Sequence, residues 1–374
     1  MDRRCLFETS SSNKLFTQYP ENVYSRARPR IAEGTAVAKS AITIKDVARE
    51  ANVSVATVSR ALNGHDNVAE PVRKLVRDVA KRLRYTPHAA ARSLSSRSTQ
   101  TLGVVLPDLY GEFFSELMRG IDGVATAHRW HLLVSSYHGD AQQRGAVLQA
   151  MRGRVDGVLV LSPYAGDTEA LVEDLPDIPC VLINTPLADA ALPVFSVDDH
   201  AGAMAMTRHL LASGYRRIAF IGGPERNHDA QQRLRGFREV MAAAGAQATA
   251  IELPGAFDEA SGHQAGLALL ALPELPDAVF AANDMMALGC LYALQQAGVR
   301  VPAQVAVAGF DDIPLARFVH PSLTTMQVSI AGLGEQAMTH LLQLIQDPQA
   351  TQAAGLMLVP SLVVRGSTAQ RDPV

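Results

Sequence analysis

The chain has 374 residues, 48% of them apolar and 19% charged, which allows more than one buried core and excludes a largely disordered chain. No run reaches about eighteen unbroken apolar residues, and the opening MDRRCLFETSSSNK has no apolar centre, so neither a membrane partner nor an export signal is expected, and a cytoplasmic place is. Net charge is only −3, but it is divided unevenly: residues 1–99 carry 18 Lys+Arg against 9 Asp+Glu and all five lysines, while the rest carries 16 against 28. A basic end on an acidic body suggests a polyanion as the partner of that end.

Residues 1–41 lack a clean period and hold SSSNK, Pro20 and Pro29. They are expected to be a disordered extension, or to precede the true start if the start codon is misassigned. From 42 to 86 the pattern is of short helices. Thr43 and Asp46 have capping-box-like spacing for a first helix whose apolar face is Ile44, Val47, Ala48 and Ala51. Asn52-Val53 can make a tight turn, and Ser54 can cap a second helix from Val55 to Leu62, with Val58, Ala61 and Leu62 inward. Gly64 sits where that helix would end. A third helix starts near Pro71, and Val72, Leu75, Val76, Val79 and Leu83 are expected to close a three-helix core.

Two helices joined by a short turn form a helix-turn-helix, whose second helix enters the major groove N-terminus first. Val55 and Ala56 would then face base edges and thymine methyls, and Arg60 can donate two hydrogen bonds to a guanine. Thr43, Ser54, Thr57, Ser59 and Asn63 suit phosphate contacts. One such unit makes too few contacts for gene-level specificity, so a homodimer on near-palindromic double-stranded DNA is expected.

Residues 87–100 are polar and rich in Ala, Ser and Arg, as in a linker. From Thr101 onward compact apolar runs alternate with amphipathic segments: LGVVLP (102–107), HLLVSS (131–136), GVLVLS (157–162), CVLIN (180–184), RIAFIGG (217–223), AIEL (250–253), AVFAAN (278–283) and VAVAGF (305–310). Short apolar strands alternating with helices signal parallel sheets covered on both faces. A break between Asn184 and Asp198 divides them into two α/β lobes. The expected partition is about 101–185 with 328–350 for the first lobe, and 186–325 with 355–370 for the second. In such sheets ligands sit beyond the C-terminal strand ends, so two facing lobes make a cleft.

The segment TIKDVAREANVSVATVSRALNG resembles the DNA-reading segment of the lactose-repressor/galactose-repressor family of bacterial regulators. The resemblance continues through VRKLVRDVAKRLRYTPHAAARSL, TLGVVLPDL, DGVLVL, VDDHAGAMAMTRHLLASGYRRIAFIGG, AANDMMALG and VAVAGFDDIPLARFVHPSLTTM, covering about residues 42–370. It implies a small all-α helix-turn-helix domain plus a two-lobe α/β core of the periplasmic-binding-protein type with parallel sheets. It further implies that the linker becomes a helix on operator DNA, where Leu94, one turn after Ala91, would wedge into the minor groove. Ala69 stands where the family often has a serine capping the third helix, a loss of about 1 kcal/mol of helix stability.

The resemblance also implies an effector between the lobes, contacted by Asp108, Phe113, Phe114, Arg233, Phe257, Asn283 and Asp311. Asp, Asn and Arg suit the vicinal hydroxyls of a sugar, and a phenyl ring can lie on its apolar face. A sugar or sugar derivative is therefore the leading ligand, and a purine-like or other metabolite the alternative. Arg226-Asn227 could contact an anionic group. Each residue also has a plain structural role open to it: Asn283 can cap the helix from Asp284, Asp311 and Asp312 can cap a turn, and the phenylalanines can be core.

Neither an enzyme nor a solute-binding protein is expected. There is no Walker-type loop, no HExxH and no GxSxG, and Gly222-Gly223-Pro224 is too short for a dinucleotide fingerprint. A periplasmic solute binder would need an export signal and no DNA-binding domain. His128, His131 and His138 lack a matched ligand pattern, and Cys5, Cys180 and Cys290 have neither metal nor disulfide spacing, so no metal and no cofactor is expected.

Overall fold

The computed structural model describes residues 42–63, 67–85, 98–164, 168–187, 192–347 and 355–368. The expected extension (1–41), Cys5, Gly64 and the hinge residues Ala91 and Leu94 lie outside them. The chain divides into two units, at Pro87 and His88.

In the first unit, α1 (Ile44–Glu50), α2 (Val55–Leu62) and α3 (Glu70–Arg82) surround a small core. Val47, Ala48 and Ala51 meet Val58 and Ala61 of α2 and Val76, Val79 and Ala80 of α3. Asn52 turns the chain between α1 and α2 with φ of +51°, in the left-handed region that Asn tolerates. The cap of α1 rests on Asp46, whose carboxylate accepts from both the backbone N–H (2.9 Å) and hydroxyl (2.7 Å) of Thr43. Ala69 gives α3 no side-chain cap, and Pro71 fills its first turn. One expectation fails: Leu75 is 47% exposed. The helical period brings Val76, Val79 and Ala80 inward instead, and the small Ala80 lets α3 approach without Leu75.

The second unit contains two six-stranded sheets. The first has the order β11-β5-β4-β3-β1-β2, from β1 (Thr101–Leu106), β2 (His131–Ser136), β3 (Gly157–Leu161), β4 (Cys180–Ile183), β5 (Val194–Val197) and β11 (Met357–Leu358). All its pairings are parallel. Its helices are α4 (Glu112–Ala127), α5 (Ala141–Met151), α6 (Thr168–Asp174) and α11 (Ile330–Gln346). Small residues let α4 and α11 close together: a Cβ at Gly120 would strike the Ala331 carbonyl, and one at Gly334 the Leu117 carbonyl.

The second sheet has the order β12-β10-β9-β8-β6-β7, from β6 (Arg217–Ile221), β7 (Thr249–Leu253), β8 (Ala278–Ala281), β9 (Ala306–Asp311), β10 (Thr324–Gln327) and β12 (Ser361–Val363). Only β12 runs antiparallel. Its helices are α7 (Asp199–Ala212), α8 (His228–Ala244), α9 (Glu259–Leu270) and α10 (Asp284–Gln296).

The lobe boundary differs from the sequence expectation. Pairing of β5 with β4 and of β11 with β5 puts 194–197 and 357–358 in the first sheet, although both were expected in the second lobe. The chain therefore passes between lobes after Val197, Gln327 and Leu358. Proline near 193 marks the start of a further strand rather than the end of a lobe. Among the described residues no helix is long and apolar enough to cross a membrane.

Candidate DNA-reading surface and ligand cleft

Helix α2 begins at Ser54, whose hydroxyl accepts from the Thr57 N–H at 3.1 Å and lies 2.9 Å from Thr57 Oγ1. The cap fixes the start of the helix and so aims its first turn. Val58 and Ala61 turn inward, which leaves Val55, Ala56 and Arg60 exposed, Val55 by 42%. Among the described residues no acidic side chain pairs with Arg60. Thr43, Ser54 and Asn63 are exposed, Thr57 and Ser59 half-buried, and Asn63 Nδ2 stands 3.5 Å from Ser59 Oγ. An exposed valine on the first turn of a capped helix and an arginine without an acidic partner on its last turn are apolar and donor groups ready for a groove.

The seven residues expected around a ligand all line one cavity of about 200 Å³ between the lobes. Asp108, Phe113 and Phe114 come from the end of β1 and the start of α4. Gly111, at φ of +96°, bends the chain between them in a conformation that a side chain would strain. Arg233 comes from the second turn of α8, Phe257 from the loop before α9, Asn283 from the end of β8, and Asp311 from the end of β9. Sheet after sheet delivers its C-terminal end to this cleft, as open α/β sheets do.

Arg233 is the hub. Its Nε donates to Asp199 at 2.7 Å and its Nη1 to the Ala282 carbonyl at 2.5 Å, and its guanidinium lies 3.9 Å from the Phe310 ring centre. Nη2 stands 3.3 Å from Asp311 Oδ1, near enough for attraction but misaligned for a hydrogen bond, so that oxygen has none. Burial works against the Arg233 charge, but Asp199, Asp311 and Asp229 outweigh it and raise its pKa.

The carboxylates are perturbed in turn. Burial pushes Asp311 up to about 7, against the pull of Arg233. Burial and then the Asp199 charge hold Asp229 well above the usual range. Asp199 is also raised by burial, with Arg233 opposing. Behind them Asp284, raised by burial and then by Asp311, accepts from Thr325 Oγ1 (2.6 Å) and the Ile313 N–H (3.0 Å). These bonds tie the end of β9 to α10 and β10 and so hold Asp311 in place.

Some sequence-level roles prove structural. Asn283 lines the cavity, yet its oxygen caps α10 at the Met286 N–H and its amide donates to the Phe257 carbonyl. Asp312 is held by Arg365, Arg317 and Gln327 and does not line the cavity. Asn227 lines it while capping α8, whereas Arg226 does not line it. His128, His131 and His138 are exposed.

Other residues were missed. Asn184 Nδ2 donates to Asp229 across the cleft at 3.1 Å, and its buried Oδ1 has no partner. The lobes also meet where the His228 N–H donates to the Pro163 carbonyl (2.6 Å), where Tyr164 pairs with Asn227, and where the Tyr110 hydroxyl donates to Glu259 (2.8 Å). Two signals could have found the main pair: Asn184 ends an apolar strand, and Asp229 stands four residues before Arg233, one helical turn away.

Comparison with known proteins decides what this arrangement belongs to. Residues 43–88 match the model of bacterial regulatory proteins of the lacI family, and residues 207–368 that of the periplasmic binding protein-like domain. The ribose operon repressor of Escherichia coli is 36% identical over 328 residues, 87% of this chain and 99% of the relative. The chain belongs to the LacI family. As a LacI-family protein it is a DNA-binding transcriptional regulator, and the likeness spans both units. The lac repressor dimer bound to operator and the anti-inducer ONPF superposes with a TM-score of 0.78 at 28% identity, over 88% of this chain and 99% of that one. An Enterococcus faecium LacI-family regulator with bound ribose gives 0.63 at 26% identity, over 73% of this chain and 100% of that one.

Proposed function

We propose that this chain is a cytoplasmic repressor, not an enzyme, that grips near-palindromic operator DNA as a homodimer and changes its grip when a small sugar fills the cleft. Helix α2 reads the groove, with Val55 and Ala56 of its first turn against base edges and Arg60 of its last turn on a guanine, while Thr43, Ser54, Thr57, Ser59 and Asn63 hold phosphates. Ala91 and Leu94 belong to the hinge that the family places in the minor groove. Asp108, Phe113, Phe114, Arg233, Phe257, Asn283 and Asp311 surround the effector.

The observation that carries the sugar reading is one small cavity in which all seven expected residues meet and two buried acceptor oxygens lack partners. About 200 Å³ lies below the roughly 300–1,000 Å³ of drug-sized pockets, which suits a monosaccharide. A relative named as the ribose operon repressor and a regulator solved with bound ribose make D-ribose the first candidate. The edge-to-face pair Phe113–Phe114, 5.5 Å apart, with Phe257 opposite, favours a purine-like ligand as the second reading. A ligand acts here through differential affinity for two lobe arrangements. The test is a thermal-shift screen of sugars and nucleosides, followed by band shifts on duplexes selected from a random pool with and without each hit. A sugar that raises the melting temperature and alters DNA binding is expected; sequence-blind DNA binding, indifferent to every hit, would refute the reading.

A further inference from the structure

The cavity wall narrows its ligand by charge, a step that rests on the cleft being the effector site. Asp108, Asp229, Asp258 and Asp311 line it, against one lining cation among the described residues, Arg233. That cation is already committed to Asp199, the Ala282 carbonyl and the Phe310 face. Of the neighbouring bases, Arg226 acts on Tyr164 at the cleft but does not line the cavity, and burial favours the neutral form of His228. Of the less buried wall residues, Asp108 accepts from the N–H groups of Leu109 and Tyr110, and Asp258 caps α9 beside Glu259. A phosphate or carboxylate in the cavity would thus meet acidic groups and, among the described residues, no uncommitted cation in its lining.

The polar atoms left over carry the complementary message. Asn184 Oδ1 and Asp311 Oδ1, on residues only 4% and 3% exposed, are acceptors without a hydrogen-bond partner. A buried acceptor is satisfied only by a donor, and an anionic oxygen has none to give. They sit on opposite lobes, so a ligand that donates to both would also hold the lobes together.

We infer that this cleft selects an uncharged or cationic polyol, one that donates hydrogen bonds to Asn184 and Asp311, and rejects the phosphorylated or carboxylated form of the same molecule. The protein's own groups meet the same desolvation: burial holds the Asp229 and Asp311 carboxyls above their usual range. A second anion without a counter-charge meets the same penalty, since removing an ion from water is repaid only by a matched partner.

Matched pairs test this on the full-length protein: D-ribose and D-ribose 5-phosphate, D-glucose, D-glucosamine and D-glucose 6-phosphate, adenosine and adenosine monophosphate. Thermal shift ranks them and calorimetry gives the affinities. The uncharged or amino member of the binding set is expected to bind, with its phosphate weaker on the order of a hundredfold. Asp108→Asn, which removes one exposed carboxylate from the wall and keeps its shape, is expected to narrow that ratio. Adenosine binding in place of any sugar, with the monophosphate rejected, overturns the sugar reading and supports the charge selection. A phosphate that binds as tightly as its parent overturns the charge selection and leaves the sugar reading standing. Silence across the whole panel counts against both.

Discussion

On α2 the side chains assigned to DNA are exposed or half-buried, whereas in the cleft Arg233, Asn283 and Asp311 are buried and held by other groups of the wall. Val55 is 42% exposed and Arg60 is unpaired among the described residues; Arg233 is 4% exposed and holds two aspartates and a carbonyl. The difference has a physical source. A helix that reads a groove must offer groups with no commitments, and its small core, from Val47 to Ala80, is built from other residues altogether. A cleft that senses a small molecule must desolvate it, so its polar groups have to be satisfied by each other while they wait. Function and stability are therefore separable in the first unit and entangled in the second.

The strongest way to break that comparison is Arg233→Ala. It would leave Asp199 and Asp311 buried without their counter-ion, so the core is expected to lose about 3–5 kcal/mol, read as a lower urea midpoint, together with any thermal shift by sugar. An unchanged midpoint would mean that the cleft charges are not part of the fold's stability. Next in size is a pH effect. Asp311 titrates at about 7 when folded, against about 3.9 when unfolded, so between these values the folded state binds the extra proton. Its contribution is full below about pH 4 and is lost as pH rises through about 7, at about 1.4 kcal/mol per pH unit where the two states differ by a whole proton. Asp229, Asp199 and Asp284 are shifted in the same direction. Urea melts of wild type and Asp311→Asn between pH 4 and 7 check this: the variant is expected to lose less stability over that range, and parallel profiles would place the titration elsewhere.

The same contrast explains how much could be read beforehand. The strands of both sheets were visible where they are compact apolar runs, from LGVVLP to VAVAGF; inner strands such as β3 and β8 are buried on both faces, whereas the edge strands β2 and β7 are not. Three of the strands passed over are of other kinds: β10 reads TTMQ, β11 is two residues long, and β12 is antiparallel at an edge. β5 (VFSV), an ordinary short strand, was hidden by Pro186 and Pro193 before it, which shifted the lobe boundary. In the cleft, Arg233 and Asp311 could be named from the family pattern. Asn184 and Asp229 could be placed only singly, at a strand end and one turn before Arg233, because their partnership exists only once two lobes face each other.

In the first unit the expected effects are smaller and fall on one property at a time. Arg60→Ala is expected to cost about 1–3 kcal/mol of operator binding, concentrated at one base pair, while the urea midpoint stays within about 0.5 kcal/mol of wild type. Equal loss on all duplexes would turn Arg60 into a phosphate contact. The smallest effect sharpens the boundary between core and surface on α3, where two neighbouring residues were both expected inside. Val76 is fully buried and Leu75 nearly half exposed. Val76→Ala removes two methyl groups from a core with few to spare, and about 2 kcal/mol of stability should go with them. Leu75→Ala deletes a larger side chain yet should stay within about 0.5 kcal/mol, because water already covers much of it. If the two variants prove equally destabilised in chemical denaturation, the face of α3 turned inward has been misjudged; the measured order then says which hydrophobic period the helix obeys, and with it which residues hold α2 at the angle its exposed turns need.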